Sequence, residues 1–348
     1  MCGCVLSTLI AAAATKTAMN MNILGSNNRD HVLRCSKEDL SKDLSGKVYI
    51  VTGANSGVGL ETTRQLVSQS AHVVMACRRP DSADEEAKSF EEANLPGTYE
   101  SMKCDLSDFT SIRSFCDQFL KTHDRLDGLI CNAGMANLGN TKTTTKDGME
   151  TTIGVSYFGH FLLTELLLDI LKQSAPSRTC IVSSVAHAGS ERNRPDVDLT
   201  DLNWEKRKFA GLQCYGEAKV ATTLYALELA DRLKGTGVST ASIHPGWARS
   251  NFGSGAGFFV RIALKVMEPF LYHMTDSSEE SAQTTLHVML NDDAPKHSGA
   301  YFSQHSYLYS DKECKKGGWP MVSPNPHARD LQKARELVKV TSGIVGLE

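Results

Sequence analysis

Short apolar runs alternate with longer amphipathic segments along most of this chain. The apolar runs predict strands at residues 48–51, 72–76, 99–103, 128–131, 179–183, 239–244 and 300–302. The amphipathic segments predict helices at residues 60–67, 83–93, 109–121, 148–171, 215–234, 278–290 and 328–340. Strands that alternate with helices are typical of a parallel sheet covered on both faces. We therefore predict an α/β fold with one doubly wound parallel sheet of about seven strands.

Length and composition limit the architecture and the partners. The 348 residues are 41% hydrophobic and 22% charged, which is typical of a globular protein. No composition shift marks a second folded domain, so we predict one domain at 45–348 after an N-terminal extension at 1–44. The formal net charge of −3 provides no basic field for nucleic acid, and we expect no nucleic-acid partner.

The extension at 1–44 differs in composition from the rest of the chain. Its apolar run at 5–14 is too short to span a bilayer. No acidic residue precedes Asp30, and small and hydroxyl side chains abound, as in transit peptides for a plastid or a mitochondrion. Three alternatives stay open: a secretory signal, membrane association through acylated Cys2 and Cys4, and a disordered tail.

The ten cysteines are scattered, and only Cys2 and Cys4 lie close together. This spacing matches no zinc motif, so we predict no metal site. Cys77, Cys131 and Cys180 lie in predicted core strands, where a small apolar side chain is expected. These positions favour reduced thiols in a non-secretory compartment.

A glycine-rich turn follows the first predicted strand and opens the first predicted helix. It reads Thr52-Gly53-Ala54-Asn55-Ser56-Gly57-Val58-Gly59. Glycine lets a phosphate approach the backbone closely, and the helix N-terminus offers free N–H groups to a pyrophosphate. Since a strand precedes the turn and a helix follows it, we predict a Rossmann-type dinucleotide site. The residues predicted to contact the cofactor here are Gly53, Asn55, Ser56, Gly57, Val58 and Gly59.

This turn and four later segments resemble the short-chain dehydrogenase/reductase family. The later segments are Asp105-Leu106, Asn132-Ala133-Gly134, Ser183-Ser184 and Tyr215-Gly216-Glu217-Ala218-Lys219, in the family's order. The resemblance covers about 45–348. Two further segments are most similar to the retinol dehydrogenase and WW-domain oxidoreductase branch: Gly159-His160-Phe161-Leu162-Leu163-Thr164 and Ile243-His244-Pro245-Gly246.

The resemblance implies a nicotinamide dinucleotide cofactor. Beyond the glycine turn, it implies cofactor contacts from Arg78, Asp105, Leu106, Asn132, Ala133, Gly134, Tyr215, Lys219, Pro245 and Gly246. Asp105 would accept a hydrogen bond from the adenine amino group. Its alternative role is to cap the helix that begins near Ser107.

The residues after the second strand bear on the choice of cofactor. A carboxylate here would bind the ribose hydroxyls of NAD, whereas an arginine accommodates the 2′-phosphate of NADP. No acidic residue occurs between this strand and Asp81, and Arg78 lies just after the strand. We therefore favour NADP(H) over NAD(H), with Arg78 as the phosphate clamp. The alternative is that Arg78 is only a solvated loop residue.

Ser184, Tyr215 and Lys219 are the candidates for proton transfer. Reduction of a carbonyl by hydride leaves an alkoxide, so a proton must arrive in the same step. A tyrosine has a free pKa of about 10, and a lysine ammonium one helical turn away, with the positive nicotinamide, lowers it. The i, i+4 spacing places both side chains on one helix face. On the resemblance, Ser184 rather than Ser183 would hold the substrate oxygen.

A second Tyr-x-x-x-Lys match runs from Tyr99 to Lys103. It falls on a predicted strand, and no serine pair precedes it. Tyr215 and Lys219 lie on a predicted helix soon after Ser183-Ser184, so the context selects that pair.

One position departs from the family's pattern. The family has an asparagine where this chain has Ser156, and that asparagine holds a water that links the lysine to solvent. Serine also binds water but reaches less far, so the resemblance implies a catalytic role for Ser156 with a slower proton relay. A non-catalytic, cofactor-binding regulatory protein therefore stays an alternative.

Light-dependent protochlorophyllide reductases are the alternative among enzymes. They share the glycine turn and the Tyr-x-x-x-Lys pair. They carry a longer insertion before the tyrosine and a cysteine after the Pro-Gly turn, where this chain has Trp247.

The segment at 247–274 predicts a substrate lid. Its aromatic residues are Trp247, Phe252, Phe258, Phe259, Phe270 and Tyr272. Such a lining favours a small lipophilic substrate: a retinoid-like, steroid-like or other bulky aldehyde or ketone. The alternative is that these side chains pack the lid onto the sheet or touch a membrane. The expected activity is hydride transfer between a nicotinamide and a carbonyl or alcohol, and a homo-oligomer is left open.

Overall fold

Eight strands of the described residues form one sheet. The structure, a computed structural model, describes residues 31–248 and 275–347. The strands are β1 (Val48–Thr52), β2 (His72–Cys77), β3 (Thr98–Lys103), β4 (Gly128–Cys131), β5 (Ser177–Val182), β6 (Val238–His244), β7 (Tyr301–Ser303) and β8 (Gly318–Met321). Their order is β3-β2-β1-β4-β5-β6-β7-β8, and all pairs are parallel except β7 with β8. The predicted doubly wound parallel sheet is confirmed.

Helices cover both faces of this sheet. They are α1 (Gly57–Ser68), α2 (Pro80–Glu92), α3 (Phe109–Thr122), α4 (Thr151–Ile153), α5 (Gly159–Leu166), α6 (Leu168–Gln173), α7 (Gly211–Arg232), α8 (Ser278–Leu290) and α9 (Leu331–Val345). Alternate strand residues face opposite layers. Val74 and Phe119 belong to one core, whereas Val73 and Leu66 belong to the other. Each such fully buried side chain contributes about 1.5–3 kcal/mol of hydrophobic stabilisation.

The helix predicted at 148–171 is broken in the structure. Helix α4 is followed by a π-helical segment, Gly154–Phe158, before α5 begins. Glycines flank this wider segment on both sides: a Cβ at Gly154 would lie 2.6 Å from Thr145 Cγ2, and one at Gly159 would lie 2.6 Å from the Leu106 carbonyl oxygen. At these two glycines the helix thus lies closer to neighbouring segments than a residue with a Cβ atom would allow.

Strand β8 is not predicted from the sequence, because the Gly and Pro content of its segment favours a surface loop. It pairs antiparallel with β7 at the end of the sheet. Pro320 lies within it, and an edge strand tolerates a proline because one side of its backbone needs no partner.

Residues 33–44, which the sequence analysis assigns to the extension, contact the domain. The Gln69 carboxamide donates to the carbonyl oxygens of Asp39 and Lys42, each at 2.9 Å. The Cys35 amide donates to Gln283 Oε1 at 3.0 Å. The point at which an extension ends stays a prediction. Within the described part of the chain, no helix combines the length and apolar character needed to cross a membrane.

Seven of the eight cysteines in the described residues are buried, and all eight are free thiols. Burial raises the pKa of Cys77 to about 11 and of Cys116 and Cys131 to about 12. These thiols act as small apolar side chains of the core.

Candidate active site

The ends of β1 and β4 meet at the point where the strand order reverses, and Thr52 joins them. The Thr52 hydroxyl oxygen accepts from the amides of Asn132 and Ala133, each at 2.9 Å. In return, the Asn132 carboxamide donates to the Thr52 carbonyl oxygen at 2.8 Å. In a doubly wound sheet this crevice is where ligands bind. The predicted segment Asn132-Ala133-Gly134 therefore lies directly beside the glycine turn.

The glycine turn has the conformation that its sequence demands. Gly53 and Gly57 have φ values of +62° and +58°, which side chains rarely adopt. A Cβ at Gly59 would lie 2.5 Å from both Asn132 Nδ2 and the Gly53 carbonyl oxygen. Ser56 is exposed at the N-cap of α1, and its side chain makes no capping bond. Val58 follows in the first turn, whose N–H groups have no partners within the helix.

Asn55 and Arg78 lie near the end of β2 but differ in their contacts. The Asn55 carboxamide donates to Ser82 Oγ at 3.3 Å and accepts from Cys77 Sγ at 3.8 Å. Arg78 is exposed, and it forms no ion pair with any of residues 31–248 or 275–347. Its guanidinium is therefore available to an anionic ligand at this edge.

Asp105 does not cap the helix that follows it. Its Oδ1 accepts from the Ser107 amide at 3.0 Å and from the Ser107 hydroxyl at 2.6 Å. Helix α3 begins at Phe109 and is capped by Asp108 instead. Leu106 is buried against α5 through the close approach at Gly159. The capping alternative for Asp105 is therefore wrong, while its adenine role stays a prediction.

Helix α7 brings Tyr215 and Lys219 to the end of β5. The Lys219 Nζ atom donates to the Val182 carbonyl oxygen at 2.9 Å and lies 5.8 Å from the centre of the Tyr215 ring. The Tyr215 and Ser184 hydroxyl groups are hydrogen-bonded to each other. Ser183 points away from Tyr215: its hydroxyl donates to the Lys219 carbonyl oxygen at 2.9 Å. The structure thus brings Ser184, Tyr215 and Lys219 together.

Burial sets the proton affinities of these groups. Burial lowers the pKa of Lys219 to about 8, because a charged ammonium is poorly solvated there. Burial raises the pKa of Tyr215 to about 12, in contrast to the lowering expected from Lys219 and the nicotinamide, and only the hydrogen bond from Ser184 acts in the opposite direction. Near neutral pH the lysine is therefore protonated and the tyrosine is a phenol, so the pair holds two protons side by side.

Ser156 lies in the π-helical segment and faces the same small space as Lys219. A Cβ at Gly134 would lie 3.7 Å from Lys219 Nζ and 3.8 Å from Ser156 Oγ. The Ser156 hydroxyl is buried and donates to the Met135 carbonyl oxygen at 3.4 Å, a long hydrogen bond. π-Helical turns occur frequently at functional sites. The Ser156 hydroxyl and Lys219 Nζ therefore both approach Gly134.

The sequence suggests no special role for His160, only a structural or solvated one, and the structure shows it buried beside the site. Its Nδ1 lies 3.2 Å from the Ser156 carbonyl oxygen, and its Nε2 lies 2.9 Å from the Thr52 hydroxyl. Because a carbonyl oxygen only accepts, Nδ1 carries the proton and Nε2 accepts from Thr52. Burial lowers the pKa of His160 to about 4, so the ring is neutral. It links the glycine turn to the backbone of Ser156.

Asp276 is a residue that the sequence analysis missed, and it shapes the turn after β6. Gly246 has φ of +95°, and a Cβ there would collide with the Asp276 carboxylate. That carboxylate accepts from the Trp247 amide at 3.1 Å, and the Asp276 amide donates to the Trp247 carbonyl oxygen at 2.8 Å. Pro245 precedes this turn at the same edge of the sheet. Most of the predicted lid, at 249–274, lies outside the described residues.

The family model that this chain matches and two related proteins are dehydrogenases. The sequence model of the family described as short chain dehydrogenase matches residues 47–194. Human retinol dehydrogenase 13 is 34% identical over 306 residues, which cover 88% of this chain and 86% of that protein. Human retinol dehydrogenase 12 is 38% identical over 304 residues, which cover 87% of this chain and 88% of that protein.

A solved structure shows the same fold. The crystal structure of an uncharacterised protein from Mycobacterium paratuberculosis superposes with a TM-score of 0.69 at 26% identity. The match covers 91% of this chain and 99% of that one.

Replacement of Lys219 by methionine tests the effect of burial on the lysine. Lys219→Met should raise the free energy of unfolding at pH 7 by about 1–3 kcal/mol, because it removes a poorly solvated charge at the cost of one hydrogen bond. The folded pKa of about 8 lies below the ordinary value of 10.5. Between these pH values the unfolded chain therefore binds more protons than the folded one. The free energy of unfolding of the wild type accordingly rises relative to that of the variant as pH increases through this range.

Urea unfolding at pH 7 and pH 10 measures this difference. Lys234→Met is the matched control, because the Lys234 side chain is 76% exposed and its loss should change stability by less than about 0.5 kcal/mol. A Lys219→Met protein that is less stable than wild type at both pH values would contradict the interpretation.

Proposed function

The chain belongs to the short-chain dehydrogenase family, a family of oxidoreductases, and on that premise we propose that it transfers hydride between NADP(H) and the carbonyl or alcohol group of a small lipophilic substrate. The resemblance stated from the sequence is confirmed. The observation that carries the proposal is the grouping of Ser184, Tyr215 and Lys219 at the carboxyl edge of the sheet, beside the glycine turn.

The residues at this edge fit a dinucleotide. The glycine turn ends in the first turn of α1, where the N-cap side chain makes no capping bond, and the Ser56 side chain is exposed there. The N–H groups of this first turn and the Ser56 hydroxyl suit a pyrophosphate. Gly134 is exposed and leaves the space over Lys219 free of side chain. The bound nicotinamide supplies or accepts the hydride.

Tyr215 is the proposed proton donor in the reductive direction. Its phenol gives a proton to the substrate oxygen, which Ser184 holds by a hydrogen bond. Lys219 stabilises the resulting phenolate electrostatically, and its protonated form predominates below about pH 8. In the oxidative direction the phenolate accepts the proton. Proton transfer by such groups contributes about 10²–10⁴-fold to the rate.

Ser156 is proposed to hold a water that returns protons to this pair. Its hydroxyl lies in the space beside Gly134 that Lys219 also faces. The long bond to Met135, at 3.4 Å, leaves the hydroxyl weakly engaged. The neutral His160 ring positions Ser156 by donating to its carbonyl oxygen.

The cofactor preference rests on Arg78. The guanidinium is exposed just after β2, and Asp81, the first acidic residue after that strand, lies in α2. Arginine binds phosphate through paired hydrogen bonds, which favours NADP.

The substrate class rests on two arguments. The two relatives described above are named for retinol, a lipophilic alcohol. The predicted lid at 247–274 is rich in aromatic residues. We therefore propose a bulky aldehyde or ketone, retinoid-like or steroid-like, as the substrate. Targeting or anchoring by the extension at 1–44 stays a prediction, and residues 1–30 of it lie outside the described residues.

Tyr215→Phe should lower turnover at least about 100-fold while cofactor affinity changes little, because only the phenolic hydroxyl transfers the proton. Consumption of NADPH with a panel of lipophilic aldehydes and ketones measures the rate, and cofactor titration measures the affinity. Tyr99→Phe is the matched control, because Tyr99 belongs to the other Tyr-x-x-x-Lys match and bonds Glu91 on the surface. A Tyr215→Phe enzyme that keeps more than a tenth of the rate would refute the assignment. Absence of turnover in the wild type across the panel would favour a regulatory protein.

Arg78→Asp should lower the NADP/NAD ratio of kcat/KM by roughly 10–100-fold, since a charge-assisted bond to phosphate contributes about 1.5–3 kcal/mol. Arg79→Asp adds the same charge change at the neighbouring exposed position and serves as the control. Steady-state kinetics with both cofactors give the two ratios. Equal ratios in Arg78→Asp and Arg79→Asp would show that Arg78 is not the clamp.

Ser156→Asn should raise turnover near neutral pH, because asparagine reaches further and holds the relay water better. Ser156→Ala should lower turnover, because it removes the hydroxyl. The added volume in a buried position carries a packing cost, so thermal unfolding must first show that the variant is folded. The solvent isotope effect should fall in Ser156→Asn. A folded variant with unchanged turnover and isotope effect would rule out this relay.

A further inference from the structure

The side chains of two histidines and a glutamate lie close together, away from the carboxyl ends of the strands where the proposed active site lies. His72 begins β2, Glu100 lies in β3, and His123 follows α3. One nitrogen of each imidazole and one oxygen of the carboxylate lie within 4.8 Å of one another. His72 lies five residues before Cys77, the last residue of β2, which is about 16 Å along the strand. This cluster is therefore separate from the cofactor edge.

The fold itself brings the three side chains together. His72 and Val74 point to the same sheet face, which α3 covers with Phe119. In the parallel register His72 is opposite Thr98, so Glu100 projects from β3 toward the same face. The His123 ring stacks on the Phe119 ring, with 4.4 Å between centroids and 7° between planes. Strand alternation and helix packing thus determine where each ligand atom lies.

The spacing of the three atoms fits a tetrahedral metal. His123 Nε2 lies 3.0 Å from Glu100 Oε1, His72 Nε2 lies 3.6 Å from the same oxygen, and the two Nε2 atoms lie 3.4 Å apart. Ligand atoms about 2.0–2.1 Å from a tetrahedral zinc ion lie roughly 3.3–3.5 Å from one another.

Neighbouring groups orient both imidazoles with Nε2 toward the common point. His123 Nδ1 lies 2.9 Å from the Thr122 hydroxyl and 3.3 Å from the Phe119 carbonyl oxygen; because a carbonyl oxygen only accepts, the second contact is a hydrogen bond when Nδ1 carries the proton. His72 Nδ1 lies 2.7 Å from the Thr98 hydroxyl. Metal-binding histidines are held in this manner by partners of their second nitrogen.

Within the described residues, Glu100 Oε1 has no lysine or arginine partner. Glu100 Oε1 is shielded from solvent, although the Glu100 side chain is 41% exposed, and within the described residues it accepts no hydrogen bond of normal geometry. Among those residues neither lysine nor arginine pairs with Glu100. Three potential ligand atoms therefore face one point, and within the described residues no lysine or arginine supplies a positive charge there.

We propose that His72, Glu100 and His123 bind one divalent transition-metal ion, with zinc as the best fit and a fourth position left for water. Two imidazole nitrogens and one carboxylate oxygen suit zinc, whereas magnesium prefers an all-oxygen set. The ion would join β2, β3 and the end of α3 at one edge of the sheet.

Titration of zinc alone into the full-length, untagged protein tests the proposal. Cys2→Ser and Cys4→Ser are introduced first, because thiolates also bind zinc. Calorimetry should show one saturable zinc site per chain at micromolar concentration and no site for magnesium. With cobalt in place of zinc, the intense visible absorption of a four-coordinate ion should appear.

Variants locate the site. His72→Gln, His123→Gln and Glu100→Gln should each weaken zinc binding at least about 100-fold, since even the loss of an outer partner costs 10–100-fold. Thr98→Val keeps all three ligands and should weaken binding about 10-fold by releasing His72 Nδ1. His327→Gln is the control, because His327 lies next to Asp196 elsewhere on the surface.

Two results would overturn the proposal. One is the absence of stoichiometric zinc binding by a protein whose circular dichroism shows it to be folded, which would leave an ion pair between imidazolium and carboxylate. The other is undiminished binding in the three glutamine variants.

Discussion

The attachment of α7 to the end of β5 is the interaction on which the candidate site depends. The Ser183 hydroxyl donates to the Lys219 carbonyl oxygen, and Lys219 Nζ donates to the Val182 carbonyl oxygen, each at 2.9 Å. Together these bonds prevent the helix from sliding or rotating on the strand. Because Tyr215 lies one turn earlier on α7, its hydroxyl then reaches Ser184 at the strand end. The first serine of the pair is structural, and the second is exposed to the site.

A second attachment holds the start of the same helix. The Arg207 guanidinium bonds both carboxylate oxygens of Glu217, at 2.8 and 2.6 Å, and lies 3.7 Å from the centre of the Trp204 ring. Burial raises the pKa of Glu217, and the bonds to Arg207 oppose that rise. The ion pair at Glu217 therefore lies between Tyr215 and Lys219 along α7. Paired charges with stacking fix orientation better than either interaction alone.

Much of this arrangement could be predicted from the sequence, because local pattern determines it. The strand runs, the glycine turn and the i, i+4 spacing of Tyr215 and Lys219 each depend on residues close together in the chain. The π-helical segment, by contrast, depends on two glycines packing against distant chain, and β8 depends on an edge that tolerates Pro320. The contacts of His160 and Asp276 could not be predicted either. Their roles arise from contacts with Thr52 and Trp247, which no spacing reveals.

The buried thiols give the native protein a chemical property of its own. A thiol with a pKa of about 12, as at Cys116 and Cys131, is ionised on the order of once in 10⁵ molecules at pH 7, and only the thiolate reacts with oxidants or alkylating reagents. Cys77 and Cys180 lie in one core layer, and Cys104 and Cys131 lie in the other. Each core layer thus contains thiols that are unreactive while they are buried and become reactive when local unfolding exposes them. The rate at which a thiol reagent labels each layer is therefore a readout of how often that layer opens.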